Sequence, residues 1–385
     1  MTHYKMSDVV VEVNDRENNP ASSKYDRFVG LEHYVSGDVI IRNYGSTENL
    51  ESTMKIFQSG DVLVARRNVY LKRASMVDFD GLTSGDSIVL RAKDPVIGRI
   101  LPFVLNTDAF WDFADQYSDG TMSKRLSPKT LMTYEFDLPD EDELEKFADL
   151  LWAANDTRES YQALLRQTDE LVKSQFIELF GSYLKHTVPL KNVCIKGPQN
   201  GFYRKGSEVD GVTPIMKMKQ LFGNEAMCEA SDCDKVLLTD TELSRLCLTE
   251  NDLLFGRRSL VVEGAGKCRR VGAIREDAVF ESSMLRVTLD PKRVRARYLQ
   301  QWFDSEDGVN AIISIRAVTT IAGIKGSDLA NIEVPVPPMK LQDEFLAFLE
   351  QADKSKFVAY QETIFIEKIL KYTYNHTFRR KNNVH

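Results

Sequence analysis

Apolar and polar positions change their spacing several times along the chain, and each change predicts a different element. From Glu141 to Phe180 the apolar residues fall at steps of three and four: Leu144, Phe147, Leu151, Ala154, then Tyr161, Leu165, Val172 and Leu179. Polar residues such as Glu145, Lys146, Asp156, Arg158, Glu159, Arg166, Asp169, Glu170 and Lys173 stand between them. That rhythm is the seam of a coiled coil, narrower than the stripe of an ordinary globular helix. No proline or glycine interrupts it after Asp140, and Gly181 stands where a helix-ending residue belongs. At about 1.5 Å per residue such a helix is a rod of roughly 60 Å, which cannot bury its seam alone. A second stretch of similar length, from Met339 to Phe378, carries Leu341, Phe345, Phe348, Ala352, Ala359, Ile366 and Ile369 on its apolar side. Matching lengths predict an antiparallel pair, with the remaining chain folded at opposite ends of one rod about a pseudo-twofold axis. The plainer alternative packs each helix separately on its own domain.

Between the helices the pattern shortens. Asp61–Ala65 and Asp252–Phe255 are apolar runs after polar turns, and Ser87–Arg91 and Met284–Thr288 alternate, so all four predict strands. Asp108–Tyr117 and Val294–Phe303 return to helical spacing, with Trp111, Phe113, Trp302 and Phe303 reading as core more readily than as base-stacking platforms. Pro139 and the Pro337–Pro338 pair close extended segments just before each long helix.

These elements come in two ordered copies. "MSDVVVEV" from Met6 resembles "LKNVCIKG" from Leu190, both read as short strand entries, and "FVGLEHY" from Phe28 matches "IMKMKQL" from Ile215. "GDVLVARR" parallels "NDLLFGRR", "TMSKRLSPKTLMTYEFDLP" parallels "TTIAGIKGSDLANIEVPVP", and "EKFADLL" parallels "DEFLAFL". The offset between copies grows in order from 184 to 187, 191 and 198, as small loop insertions in a duplicated unit would give. The expected fold is α+β: two pseudo-repeated strand-rich domains, residues 1–139 and 186–338, separated by two long helices, 140–185 and 339–385, forming an antiparallel coiled coil.

Composition narrows the class. The 385 residues are 43% hydrophobic and 28% charged, which suits an ordinary protein with real cores. No apolar run approaches the length of a transmembrane helix, and the N-terminus lacks the apolar core of a signal peptide. All five cysteines (Cys194, Cys228, Cys233, Cys247, Cys268) lie in the second half without paired CxxC spacing, which predicts reduced cytoplasmic thiols. Cys228 and Cys233 have no neighbouring histidine to complete a zinc site. A net charge of −7 argues weakly against nucleic acid, but acids are dense at 135–149 while basic residues cluster elsewhere.

Tandem strand-rich domains, each closed by a long helix, resemble the specificity subunit of a Type I restriction–modification enzyme. The resemblance is carried by "SPKTLMTYEFDLPDEDELEKFADLL" and "KGSDLANIEVPVPPMKLQDEFLAFL", each an extended strand, a proline and a helix start. The family's Gln-containing start is met by Gln342 in the second copy, while the first copy has only acids. "GDVLVARR" and "NDLLFGRR" fit as well. The resemblance implies two target-recognition domains, each reading one half of a bipartite double-stranded DNA site, with the helices as spacer and docking surface. It implies as partners the adenine-methyltransferase modification subunits and an ATP-dependent motor nuclease (restriction) subunit. S-adenosylmethionine, ATP and magnesium would then sit on those partners, and no cofactor on this chain.

Under that implication the candidate DNA-facing groups of the first domain are Arg42, Arg66, Arg67, Lys72, Arg73, Lys124 and Arg125. Those of the second are Lys217, Lys219, Arg257, Arg258, Lys267, Arg269, Arg270, Arg316 and Lys325. Arginine reads guanine through two parallel bonds to O6 and N7, whereas Lys–Arg pairs on turns more often touch phosphate. The blander reading of each pair is a solvated loop end. "EGAGKCRR" (Glu263–Arg270) lacks the spacing of a P-loop and predicts a basic hairpin tip. The acids of "DLPDEDELE" complement the positive end of a helix dipole better than they suit a metal. No NPPY or DPPY tetrapeptide, methyl-donor loop, Walker segment or nuclease Glu-x-Lys pair is present, so the chain is expected to catalyse nothing. The rivals are a helical scaffold that does not bind DNA and a single-chain nuclease or methyltransferase with a degenerate motif.

Overall fold

The computed structural model describes residues 1–120, 123–204, 211–223, 226–227, 233–272, 277–318 and 320–377, the side chains of 226–227 and 374–377 excepted. The chain forms two compact units, Met1–Leu164 with Val358–His385, and Leu165–Phe357. Each therefore contains part of both long helices.

The first unit is built on a four-stranded antiparallel sheet ordered Val10–Val13, Ser87–Ala92, Val62–Ala65, Ala74–Met76. Val62, Leu63, Val64 and Ala65 are all buried, as a strand covered on both faces requires. Helices Pro95–Val104 and Asp108–Tyr117 follow; Asp94 caps the first by accepting from Val96 and Ile97, and Thr107 caps the second by accepting from Phe110. A second sheet holds Arg16–Glu17, Met54–Phe57, Gly81–Thr83, Arg27–Val29 and Gly45–Ser46.

The second unit repeats the plan. Its main sheet runs Cys194–Asn200, Met284–Leu289, Asp252–Gly256, Cys268–Val271, Ala226–Met227, so first, last and middle strands keep the same neighbours. Helices Ala296–Asp304 and Glu306–Ile315 take the place of the first unit's pair. Trp111, Phe113, Trp302 and Phe303 are buried in the two cores.

The repeat extends to individual backbone bonds. The Met6 N–H donates to Tyr134 O at 2.8 Å, and the Leu190 N–H to Ile332 O at 2.8 Å. Arg27–Val29 runs parallel to Gly81–Thr83 as Thr213–Met216 runs parallel to Val279–Phe280. The strand entries differ from the sequence reading: Met6–Val9 and Leu190–Val193 are single helical turns, and the strands begin after them. The cause is a corner. Each copy starts as a ribbon, Thr2–Lys5 against Glu135–Leu138 or Thr187–Pro189 against Glu333–Pro335, and must turn into the main sheet.

The central helix spans Glu141–Phe180, and the C-terminal helix Met339–Thr377, with Phe378 outside the described residues. Glu141, Asp142 and Glu143 occupy the first turn of the central helix, where the dipole favours negative charge. In the first unit Leu144, Ala148 and Leu151 pack with Ile366 and Leu370. In the second, Val172, Phe176 and Phe180 pack with Phe345, Leu349 and Ala352. In each unit the early half of one helix lies beside the late half of the other, which makes the pairing antiparallel.

The seam departs in detail from the one expected. Leu144, Leu151 and Val172 are buried, but Phe147, Ala154, Tyr161, Leu165 and Leu179 are only half-buried. Ile369 is exposed while Leu370 is buried in its stead. The C-terminal helix keeps the three-four rhythm through Phe345, Leu349, Ala352, Ala359, Thr363, Ile366 and Leu370. The central helix shifts to steps of four through Thr168, Val172, Phe176 and Phe180. Its late half packs on a sheet-bearing core as well as on a helix, with Phe176 and Phe180 against Tyr298, and a stripe serving two neighbours widens and drifts.

Candidate nucleic-acid interface

In each unit the strand carrying the "RR" pair ends at a corner held by the same two backbone bonds. The Arg66 N–H donates to Asp86 O and the Arg66 carbonyl accepts from Leu126; the Arg257 N–H donates to Ser283 O and its carbonyl accepts from Ile324. The chain therefore brings a third segment, around Arg125 or Lys325, to the end of the basic strand. Sequence distance hides this neighbourhood, and the repeat reveals it.

In the second unit the corner opens into a cleft of about 600 Å³. Arg257, Arg258, Lys325 and Asn200 line it, with Ile321 on an apolar side and Asp328 the one acid among its lining residues. Arg257 is braced by donation to Ser282 O at 3.3 Å, and Arg258 is exposed. Leu260 and Val261 are exposed on the loop that follows, an apolar tip beside the cations.

In the first unit Arg67 and Arg125 form an isolated bridge with one another. The Asp86 carboxylate stands between their side chains, accepting from Arg125 Nη2 at 2.9 Å and lying 3.7 Å from Arg67 Nη1. Arg66 is half-buried behind them, its Nε unbonded, and Tyr70 and Leu71 are the exposed apolar residues on the following loop. Arg73 donates to Leu31 O and Arg67 O, so it buttresses the same corner.

The other predicted cations lie apart from these corners or are tied down. Arg42 pairs with Glu159 on the central helix. Lys72 binds Asp108 at 2.9 Å, and Asp108 also takes Lys371 at 3.1 Å; both bonds hold its carboxyl below the usual carboxylate range, the Lys72 bond most strongly. Lys124 binds Asp115 at 2.6 Å, and Lys217 binds Asp234 at 2.6 Å while Lys219 is exposed. Lys267 lies over the Phe222 ring, where burial lowers its pKa. Arg316 donates to Ala265 O at 2.9 Å. Arg269 and Arg270 sit on the strand Cys268–Val271, not on a hairpin tip, and Arg269 faces Asp304.

Sequence reasoning missed Asp86 and Asn200. A search for cations passes over an acid, although Ser84–Gly85–Asp86 directly before an alternating strand marks a tight turn at its head. Cys194, Cys247 and Cys268 are free thiols, Gln220 Nε2 donates to the Cys233 sulfur at 3.4 Å, and Cys228 lies outside the described residues. Among the described residues no three His, Cys, Asp or Glu side chains gather as metal ligands, and no helix is long and apolar enough to cross a membrane.

Two sheet-bearing units, each with a basic corner and each sharing two long antiparallel helices, define a duplicated, helix-linked α+β fold. No family model matches the chain. It is 26% identical over 188 residues to the Type I restriction enzyme EcoKI specificity subunit of Escherichia coli (strain K12), a match covering 48% of this chain and 38% of that protein. It is 21% identical over 341 residues to the MjaIX specificity subunit of Methanocaldococcus jannaschii, covering 80% of this chain and 74% of that one. The fold is similar to the crystal structure of a Type I restriction–modification S subunit from M. genitalium, with TM-score 0.59, 12% identity and coverage of 99% and 96%. It also matches a chain from a study of complex assembly and conformational transition in the type I system, with TM-score 0.51, 16% identity and coverage of 98% and 97%. The resemblance to Type I specificity subunits read from the sequence holds in both sequence relatives and fold. The EcoKI match spans well under half of that subunit's length.

Proposed function

We propose that the chain is the DNA-reading, non-catalytic specificity subunit of a Type I restriction–modification complex, each unit recognising one half of a bipartite site. The observation that carries this is the cleft of the second unit. Arg257 and Arg258 from one segment and Lys325 from a distant one converge on an open face, at the corner where the first unit holds Arg66, Arg67 and Arg125. Two equivalent basic corners in a duplicated chain suit two half-sites, with phosphate contacts placing each unit and side chains reading base edges. Joining the two readers raises the effective concentration of the second once the first has bound. The net charge of −7 fits a chain whose acidic surfaces meet partners while its basic corners meet DNA.

On this reading the long helices dock adenine-methyltransferase modification subunits, and a motor nuclease subunit joins them. S-adenosylmethionine, ATP and magnesium serve those partners. Replacing Arg257, Arg258 and Lys325 together by Ala tests the assignment. Binding of the chain with its modification subunits to its DNA should weaken, and the salt slope should flatten by roughly 0.9 for each phosphate that is no longer neutralised. Unchanged affinity and slope would remove the cleft from the interface.

A further inference from the structure

The two corners share their backbone bonds and their arginine pairs but differ at two facing positions. In the first unit Arg125 and Asp119 exchange backbone bonds of 2.8 and 3.1 Å; in the second, Gly323 and Ala317 exchange the same pair at 2.9 Å each. Asp86 and Ser283 likewise occupy one position, each taking the N–H of the first arginine of its pair. So where the first unit has a carboxylate and a guanidinium bonded to each other, the second has a serine and a glycine. Both members of the pair are present in one copy and both are absent from the other. The consequence is visible as shape: the second unit has its open cleft, lined by Gly323, at the place where the first has Arg125.

A lone carboxylate at a DNA-facing corner would repel phosphate. Bonded to Arg125 at 2.9 Å and facing Arg67, it does something else. It occupies one amino group of a five-donor planar fork and restrains the orientation of the rest, leaving donors free on a side chain that is about half exposed. A guanidinium held in one plane is what bidentate recognition of guanine O6 and N7 requires.

We propose that Arg125 reads a guanine in the half-site bound by the first unit, that Asp86 is the positioning residue that aims it, and that the second unit makes no equivalent contact. This rests on the DNA-reading role above and names the chemistry of one of its contacts.

The test uses the full chain purified with its modification subunits and selected against a pool of randomised duplex DNA. Wild type, Asp86→Asn, Arg125→Ala and the double variant are compared. Wild type should select a two-part motif. Both single variants should lose discrimination at the same guanine by roughly 5- to 150-fold, with the other half-site unchanged. The double variant should match Arg125→Ala, since Asp86 acts through that side chain. A motif retained unchanged by both single variants overturns this proposal and leaves the DNA-reading role standing. So does a uniform loss across all sequences, which a merely structural Asp86 would give. A wild-type complex that selects no motif overturns both.

Discussion

Asp108 shows how a single carboxylate can engage two cations from distant parts of the chain. It receives Lys72, from the loop after the first unit's basic strand, and Lys371, from the C-terminal helix. Its pKa is depressed, so its contribution to stability is present above the ordinary carboxylate pKa near 3.8 and lost as pH falls through the depressed value. Lys72 and Asp108 are nearly half exposed and Lys371 about two-thirds, so solvent screening keeps the effect small. Asp108→Asn should lower the melting temperature slightly at pH 6, with the difference from wild type vanishing as pH drops below about 3.8. A difference that persists unchanged at acid pH would exclude the ion pair as its source. Lys72 and Lys124 looked alike in the sequence, two basic residues near basic strands. Their carboxylate partners, Asp108 and Asp115, lie on a helix whose placement only the fold reveals.

At the scale of elements, the long helices and the principal strands were legible because periodicity is local. The central helix ends where Pro139 and Gly181 predict, and Val62–Ala65, Ser87–Ala92, Asp252–Gly256 and Met284–Leu289 lie within a residue or so of their apolar runs. The exact seam was less legible. Whether Phe147 or Ala148 turns inward depends on a helix facing two neighbours at once, which no linear period encodes. Phe345 is a sharp probe of that packing. It is fully buried, with ring centroids 5.5 Å from Phe176 and 5.3 Å from Phe180. Phe345→Ala should cost about 3–5 kcal/mol in denaturant unfolding, because the two neighbouring rings would then face a cavity that cannot fully collapse. A cost below about 1 kcal/mol, far under that of emptying a buried aromatic site, would mean the helical pair is not anchored there.

For the whole molecule, the duplication was the most informative feature of the sequence, and the structure adds what each copy does differently. The drifting offset aligned Arg66 with Arg257, and the backbone bonds to Asp86 and Ser283 bear that alignment out atom by atom. The sequence could not say that Lys325 joins Arg257 and Arg258, or that Arg125 meets Asp86, because those neighbours cross the sheet end between distant segments. On the proposed DNA-reading role, a duplicated frame with unlike corners suits a site whose two halves differ in sequence.

The most direct measurement is a base-resolution adenine-methylation map of the host genome with and without the gene for this chain. The DNA-reading role predicts a two-part methylated motif that vanishes on deletion and returns on complementation. An identical map in both strains would contradict it.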